Sequence, residues 1–424
     1  MDTNFSFIHA ADLHIGTPFT SIARADQEIV DSLIRSTFQA FDAMIDLALA
    51  KQVDFVLLAG DIFDNSDRNL KAVLHFRNGM QKLEQGGIQV FIVHGNHDPM
   101  DQASGMLELP PNCTVFPASK AKWKAVQNSG RPVAAVCGLS FPTRSVEENL
   151  AVRIPSGPEG LFRIVLLHCT VGNQAGHYPY APCSLADLVE RHDANGRYVD
   201  YWALGHVHSA AVLCRQPWVV YPGVIQGRSF REQGEKGVFL VQSSGRQVVA
   251  LDFHSVDSVR WLEVEIDASG ARDIGALMDA ARNEIGRVCR QAGSRGRVIR
   301  LVIAGRSPVA ADLGQENSIP DMLEELREEF AGRRPLTWVE SIINRCRRPV
   351  DLEERKTASD IVAFILQEAD AIRGNPERQA AARKELSVLL GRRDIRRHCR
   401  NLSGNTFEQL LEDAEFMLLD RLEE

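Results

Sequence analysis

Residues 55–64 read Phe-Val-Leu-Leu-Ala-Gly-Asp-Ile-Phe-Asp, and the fold follows from how that stretch is built. Positions 55–58 form a short apolar run with the length and bulk of a buried strand. Gly60 and Asp61 come directly after it, so a carboxylate stands on a tight turn just past the strand. The arrangement recurs. Runs at 5–8, 90–93, 164–167 and 201–204 lead into Asp12-Leu-His14, Gly95-Asn96-His97-Asp98, His168 and Gly205-His206-Val-His208. Open α/β sheets bind ligands beyond the carboxyl ends of their strands, so these clusters are placed to converge on one crevice.

Working outward, residues 27–49 place Ile29, Leu33, Phe38, Phe41, Ile45 and Leu49 near helical spacing, and 69–84 read as a second helix. Strands alternating with helices predict an α/β domain over residues 1–256. Later β-rich runs at 133–136, 218–221, 238–241 and 248–253 predict a second sheet packed on the first. Residues 257–345 read as a smaller α/β unit, with strands at 261–266, 298–303 and 336–343 and helices at 274–289 and 322–330. Residues 346–424 are mostly helical, broken near Gly374-Asn375-Pro376 and Ser403-Gly404-Asn405. In the last segment Thr406 and Gln409 have the spacing of a capping box. Phe407, Leu410, Leu411, Ala414, Leu418 and Leu422 then mark one helix face, which suits either a packed terminal helix or a docking helix for a partner.

A chain of 424 residues calls for two or three domains, and 44% hydrophobic with 25% charged residues is the balance of a globular protein. No run of about 18 apolar residues appears, so no membrane span is expected. The amino terminus, with acidic Asp2 and an immediate strand, lacks the form of a secretory signal, and a cytoplasmic location is expected. The eight cysteines form no C-x-x-C pair, which argues against a disulfide framework or a zinc ribbon; Cys169 reads as packing. The net charge of −8 is not that of a typical nucleic-acid binder. Bound cations reverse the local sign, however, and arginines cluster at 333–334, 345–348 and 392–400. Bulk charge therefore excludes little.

Carboxylates, imidazoles and an amide oxygen suit divalent manganese, iron or zinc, with no thiolate in the set. Two such ions about 3.5–4 Å apart can clamp the attacking and leaving oxygens of a phosphate ester. One carboxylate must bridge them, and Asp61 on its turn is the natural bridge.

The five clusters stand here as DLH, GDIFD, GNHD, the His of LLH, and GHVH. In this the chain resembles the calcineurin-like metallophosphoesterase superfamily. Its stretches HAADLHIGTPF, LLAGDIFD, FIVHGNHDP and YWALGHVHSAAVLCRQPWVVYPGVIQGRSFRE resemble more closely the bacterial SbcD and YhaO-type DNA repair exonucleases, relatives of the nuclease of the eukaryotic MRN complex. The resemblance covers residues 1 to about 255 and rests on domain order beyond. It implies an αββα metallophosphoesterase sandwich with a small α/β capping domain and a helical carboxyl-terminal tail. It implies that Asp12, His14 and His208 hold one ion, that Asn96, His168 and His206 hold the other, and that Asp61 bridges. The ions implied are Mn2+ above all, with Mg2+, Fe2+ or Zn2+ as alternatives. His97 would protonate the leaving 3′-oxygen, Asp98 would orient His97, and Asp64, which stands where some relatives carry histidine, is a candidate contact for DNA. Manganese-dependent DNA exonuclease activity, with single-strand endonuclease activity beside it, is the implied function. An SbcC-like coiled-coil ATPase docking on the carboxyl-terminal helices and a homodimer are the implied assemblies.

Two further readings stay open. Arg228 and Arg231, in the loop after Tyr221-Pro-Gly223, are placed either to hold a DNA strand or simply to be solvated. The five motifs also fit a phosphodiesterase or phosphatase acting on a small molecule or a phosphoprotein. Protein phosphatases of the superfamily, though, carry G-N-H-E and an arginine after the second motif, where this chain has Asp98 and Ile62-Phe63-Asp64. Of the remaining histidines, His9 and His94 read as core or supporting residues. His75, His177, His192, His254 and His398 have no supporting neighbours in the sequence.

Overall fold

The apolar run at 55–58 extends by one residue into a strand whose five side chains are all buried, because both of its faces are covered. In the computed structural model, which describes residues 4–19, 27–64, 70–102, 108–128, 130–172, 178–190, 199–291, 293–391 and 407–422, the chain divides into two compact units. The first comprises Met1–Val264, Asn283–Leu301 and Leu323–Ile342; the second comprises Glu265–Arg282, Val302–Met322 and Ile343–Glu424.

Two six-stranded sheets build the first unit. One contains β1 (Asn4–Ala10), β2 (Phe55–Ala59), β3 (Gln89–Val93), β4 (Cys113–Val115), β11 (Gly237–Ser244) and β12 (Gln247–Ser255), ordered β12-β11-β1-β2-β3-β4. The other contains β5 (Lys122–Asn128), β6 (Arg131–Leu139), β7 (Phe162–His168), β8 (Tyr201–Gly205), β9 (Ala211–Arg215) and β10 (Trp218–Tyr221), ordered β5-β6-β7-β8-β10-β9. Successive side chains point to opposite faces of a strand. Phe55, Leu57 and Ala59 therefore enter the layer between the sheets, where they share a core with Ile164, Leu166, Tyr201 and Ala203. Val56 and Leu58 point the other way, into a core with Phe41, Met44 and Ile45 of helix Gln27–Lys51 and with Phe76 and Met80 of helix Leu70–Gln85. Val165, Leu167, Trp202 and Leu204 pack on the far face of the second sheet with Leu150 and Leu188. The result is the αββα sandwich that the motif resemblance implies.

Sheet membership differs from the sequence reading. The runs at 164–167 and 201–204 belong with 133–136 and 218–221 in one sheet, while 238–241 and 248–253 join the sheet of 5–8, 55–58 and 90–93. Strands buried in a four-layer sandwich look alike in composition, so composition could not sort them. Pairing did: β11 lies antiparallel to β1 and closes the first sheet from far along the chain.

A third sheet has the order β13 (Val259–Asp267), β14 (Gly296–Ala304), β15 (Thr337–Asn344), with helices Ile274–Gln291 and Ser318–Phe330 between its strands in sequence. In the second unit, helix Ile361–Arg373 is capped by Asp360, whose side chain accepts the Ala363 N–H, and it ends at Gly374. Val362 and Leu366 of that helix cluster with Leu419 of the terminal helix Phe407–Leu422. The face expected of that last helix is rotated: Ala414 is exposed, whereas Glu415 and Leu419 are buried. A salt bridge from Arg373 to Glu415 explains the rotation, since it draws a carboxylate inward that an apolar stripe would leave outside. Thr406, the break at 403–405 and the arginines of 392–400 lie outside the described residues, as do the side chains of Gln409 and Leu422. Among the described residues no helix is long and apolar enough to cross a membrane.

Candidate metal centre

Parallel pairing of β1 with β2, of β2 with β3 and of β7 with β8 sets the carboxyl ends of these strands side by side. The β7–β8 register pairs His168 with Gly205, which carries His206 next to it. Backbone bonds stitch the first two clusters together: Asp12 N–H donates to the Gly60 carbonyl at 3.1 Å and His14 N–H to that of Asp61 at 3.1 Å. The His206 N–H donates to the Asp12 carboxylate, 3.1 Å from Oδ2, and the His97 N–H to Asp61 Oδ1 at 2.9 Å. Four of these residues hold positive φ without being glycine: Asp12 (51°), His14 (43°), Asp61 (52°) and His206 (97°). Such angles are uncommon for side chains with a Cβ and gather where surrounding structure imposes them. At Gly60, with φ 93°, an added Cβ would stand 2.5 Å from His168 Nδ1; at Gly95 it would strike Asp61 Oδ1.

The ligand atoms of Asp12, His14 and His208 lie within 4.8 Å of one another, as do those of Asp12, Asp61 and His168. Asp61 Oδ2 stands 3.9 Å from His14 Nε2 and 3.4 Å from His168 Nε2, so this carboxylate lies between the two groups. Asn96 Oδ1 is 3.0 Å from His168 Nε2, and the rings of His168 and His206 are 5.2 Å apart. The seven sequence-predicted ligands are thus brought to one place.

Whether they fit a cation is decided by two nitrogens. His168 Nδ1 sits 2.9 Å from the Ala59 carbonyl oxygen and donates its proton there. In neutral histidine Nε2 then carries a lone pair, yet it faces the oxygens of Asp61 and Asn96, and only a positive charge resolves that contact. A proton does so in the bare protein. Burial opposes it, but the charge of Asp61 and its hydrogen bond prevail, raising His168 to about 9. A divalent ion would do the same. His14 Nε2, the second nitrogen, is buried and has no hydrogen-bond partner among the described residues. Oxygen and imidazole donors around the Asp61 carboxylate fit borderline-hard divalent cations.

Several partners differ from those expected. Asp98 does not face His97: its carboxylate accepts the N–H groups of Ile62 (2.9 Å) and Gly95 (2.8 Å) and lies 3.4 Å from His94 Nδ1, so it ties two turns together. Asp64 takes the place beside His97, in an ion pair with its Nδ1, and also binds His14 Nδ1 (3.0 Å) and Thr17 Oγ1 (2.5 Å). Buried in this way, Asp64 does not offer itself to DNA. Arg228 points inward to Asp64 and Glu232, whereas Arg231 is exposed. His75 has a neighbour after all, Asp42 at 2.9 Å. His9 meets the Tyr201 hydroxyl at 3.1 Å in the core, and Cys169 is buried. His177, His192 and His398 lie outside the described residues.

Reading the sequence also passed over two supports. Glu232 lies 2.7 Å from His208 Nδ1, and the Tyr178 carbonyl oxygen lies 3.0 Å from His206 Nε2. Glu232 was findable, as the carboxylate closing the loop Gln226-Gly-Arg-Ser-Phe-Arg-Glu232. Tyr178 acts through its backbone and leaves no signal in side-chain type.

Charge follows this geometry. Burial would raise Asp61, yet the positive charges of His168, His14 and His97 hold it well below the usual carboxylate range. Burial would lower His97, but the Asp64 hydrogen bond and the charges of Asp61 and Asp64 raise it above the ordinary histidine value. Glu232 is likewise depressed, with burial outweighed by His208 and Arg228.

A four-layer sandwich with a carboxylate–imidazole crevice at its strand ends defines a calcineurin-like phosphoesterase, and that family matches residues 5–210. The middle domain of the metallophosphoesterase YhaO matches residues 261–347. Along most of its length the chain is 34% identical to the metallophosphoesterase YhaO of Bacillus subtilis, over 339 residues, or 80% of this chain and 81% of that one. The chain belongs to the YhaO-type metallophosphoesterases. It is also 35% identical over 259 residues to the DNA double-strand break repair protein Mre11 of Thermoplasma acidophilum, covering 60% of this chain and 64% of that one. The SbcD component of the Escherichia coli nuclease SbcCD is 25% identical over 276 residues, 58% of this chain and 66% of that one.

Proposed function

We propose that this chain hydrolyses phosphodiester bonds in DNA with two divalent cations, Mn2+ first among them. Asp12, His14 and His208 hold one ion, Asn96, His168 and His206 the other, and Asp61 serves both. The observation that carries this reading is His168 Nε2, aimed at the oxygens of Asp61 and Asn96 with its other nitrogen already bonded to a carbonyl. The ions supply Lewis acidity toward phosphoryl oxygens and a lowered pKa for attacking water. His97, protonated and steadied by Asp64, gives its proton to the leaving 3′-oxygen. No side chain here is asked to form a covalent intermediate.

Support for a nucleic-acid substrate comes from the relatives, whose names include a double-strand break repair protein and a nuclease component. A second support is Tyr178, a residue 62% exposed whose carbonyl contacts His206, so an aromatic side chain that could stack on a base stands beside the candidate ions. In the second unit Ile361, Phe364, Val388 and Met417 leave apolar surface exposed on the carboxyl-terminal helices, which suits docking of a coiled-coil ATPase. A cytoplasmic setting and a homodimer belong to the same reading.

The test is incubation of end-labelled single- and double-stranded DNA with Mn2+, with chelator, and with an Asp61→Ala variant. Cleavage that needs both the ion and Asp61 is expected. If a generic phosphodiester turns over while every DNA stays intact, the small-molecule alternative replaces this reading.

A further inference from the structure

The two halves of the candidate centre are supported by different chemistry. His168 rests through Nδ1 on the carbonyl of Ala59 (2.9 Å), and His206 through Nε2 on that of Tyr178 (3.0 Å). Both supports are neutral backbone oxygens. On the other half, His14 Nδ1 rests on Asp64 at 3.0 Å and His208 Nδ1 on Glu232 at 2.7 Å. Both of those supports are carboxylates, only 7% and 9% exposed.

One arginine keeps the two carboxylates in place. Arg228 sets Nη1 3.3 Å from Asp64 Oδ2 and Nη2 3.4 Å from Glu232 Oε1, while its backbone N–H donates to Glu232 Oε2 at 2.7 Å. The loop carrying this clamp is itself pinned. Buried Gln226 donates to the Val259 carbonyl at 2.6 Å and accepts the Ser258 N–H at 2.9 Å, and Trp261 Nε1 donates to the Gly227 carbonyl at 2.8 Å. Phe230 lies edge-on to Trp261 with 5.0 Å between centroids, and the Arg300 guanidinium covers its other side 3.8 Å from the ring. The supports of His14 and His208 are therefore preorganised, which is the condition for tuning a ligand rather than following it.

A carboxylate behind an imidazole makes the ring a stronger donor than a carbonyl does, and each such support typically changes metal affinity about 10–100-fold. Local charge points the same way. The His14–His208 half has Asp12 as a ligand, with Asp64 and Glu232 behind it, offset by Arg228 between them and by protonated His97 on Asp64, which leaves one negative charge in surplus. The His168–His206 half has the neutral amide of Asn96 in the corresponding place. Asp61 is common to both.

Taking the ligand sets proposed above as its basis, we infer that the two cation positions are unequal. Asp64 and Glu232, held by Arg228, make the position of Asp12, His14 and His208 the tighter one, so it fills first. Asp64, Glu232 and Arg228 are positioning residues, and Arg228 acts as a clamp rather than as a contact for the DNA backbone.

Titration of the metal-free full chain with manganese chloride in a calorimeter tests this directly. The unaltered chain should show two classes of site. Glu232→Gln, which keeps the size of the side chain and loses its charge, should weaken the tighter class about 10–100-fold and leave the weaker one unchanged. Asp64→Asn should do likewise, and Asn96→Ala should weaken only the other class. Two equal sites in the unaltered chain would overturn the inference, as would unchanged isotherms in both carboxylate variants. Equal weakening of both classes together with a lowered urea midpoint would overturn it too, since that describes general damage. A chain that binds no manganese would remove the ligand assignment itself, and this inference with it.

Discussion

His97 shows how a residue's surroundings select its chemistry. Its side chain is 46% exposed, open to a substrate, yet Nδ1 is engaged by a carboxylate that is almost buried. Burial lowers its proton affinity and the anions Asp64 and Asp61 raise it further, so the ring stays protonated above the ordinary histidine value. An acid must be protonated to act, so kcat at saturating Mn2+ should fall with rising pH as His97 loses its proton. Asp64→Asn should move this alkaline limb to lower pH, and His97→Asn should cost about 10²–10⁴-fold in rate. A limb that stays put in the Asp64 variant would remove Asp64 from the account. His168 supplies a second expectation. Its folded value of about 9 lies above the unfolded 6.5, so in chelator its charge stabilises the fold fully below pH 6.5, and that contribution fades as pH climbs through 9. The urea midpoint should decline over that window and flatten in His168→Asn. A cation bound at His168 would have to displace the same proton, so manganese affinity at the weaker position should rise with pH toward 9. The proposed ligands, as residues that meet in one crevice, were legible in the sequence, since each ends a strand or follows one within a few positions. The residues behind them were not. Glu232 lies 24 positions from His208, and the choice between Asp64 and Asp98 as partner of His97 depends on side-chain direction across two turns.

At the scale of elements, the strands β2, β7 and β8 do two things with one pattern. Alternate side chains fill two different cores, and the chain then releases its polar residues at a common rim. Leu166 is completely buried between the sheets. Leu166→Ala should cost about 2–5 kcal/mol, read as a lower urea midpoint at unchanged slope. Apolar runs made the strands visible in advance. Their assignment to one sheet or the other was invisible, because pairing between β1 and β11 spans most of the first unit and no local preference encodes it. Strands with polar faces, such as β5 with its mostly exposed pattern, gave no apolar run to read.

For the molecule as a whole, the crevice belongs to the first compact unit and the terminal helices to the second. Within the second unit, Glu415 is 3% exposed and neutralised by Arg373. Glu415→Ala should loosen helix Phe407–Leu422 by about 1–3 kcal/mol, seen as faster amide exchange there, while exchange in β2 and β7 is unaltered. If β2 and β7 also exchange faster, the two units melt as one. The left-handed turns at Asp12, His14, Asp61 and His206 have a consequence for anyone reshaping this protein. Glycine at any of them would relieve about 1–3 kcal/mol of backbone strain, but at Asp12 and Asp61 it would also strip the N–H groups of His206 and His97 of their acceptors, at a similar cost. A library ranked by heat resistance alone would therefore weigh strain against these bonds and stay blind to the ions that the same side chains are proposed to hold. Breeding a tougher version of this protein requires a screen that rewards bound manganese as well as survival.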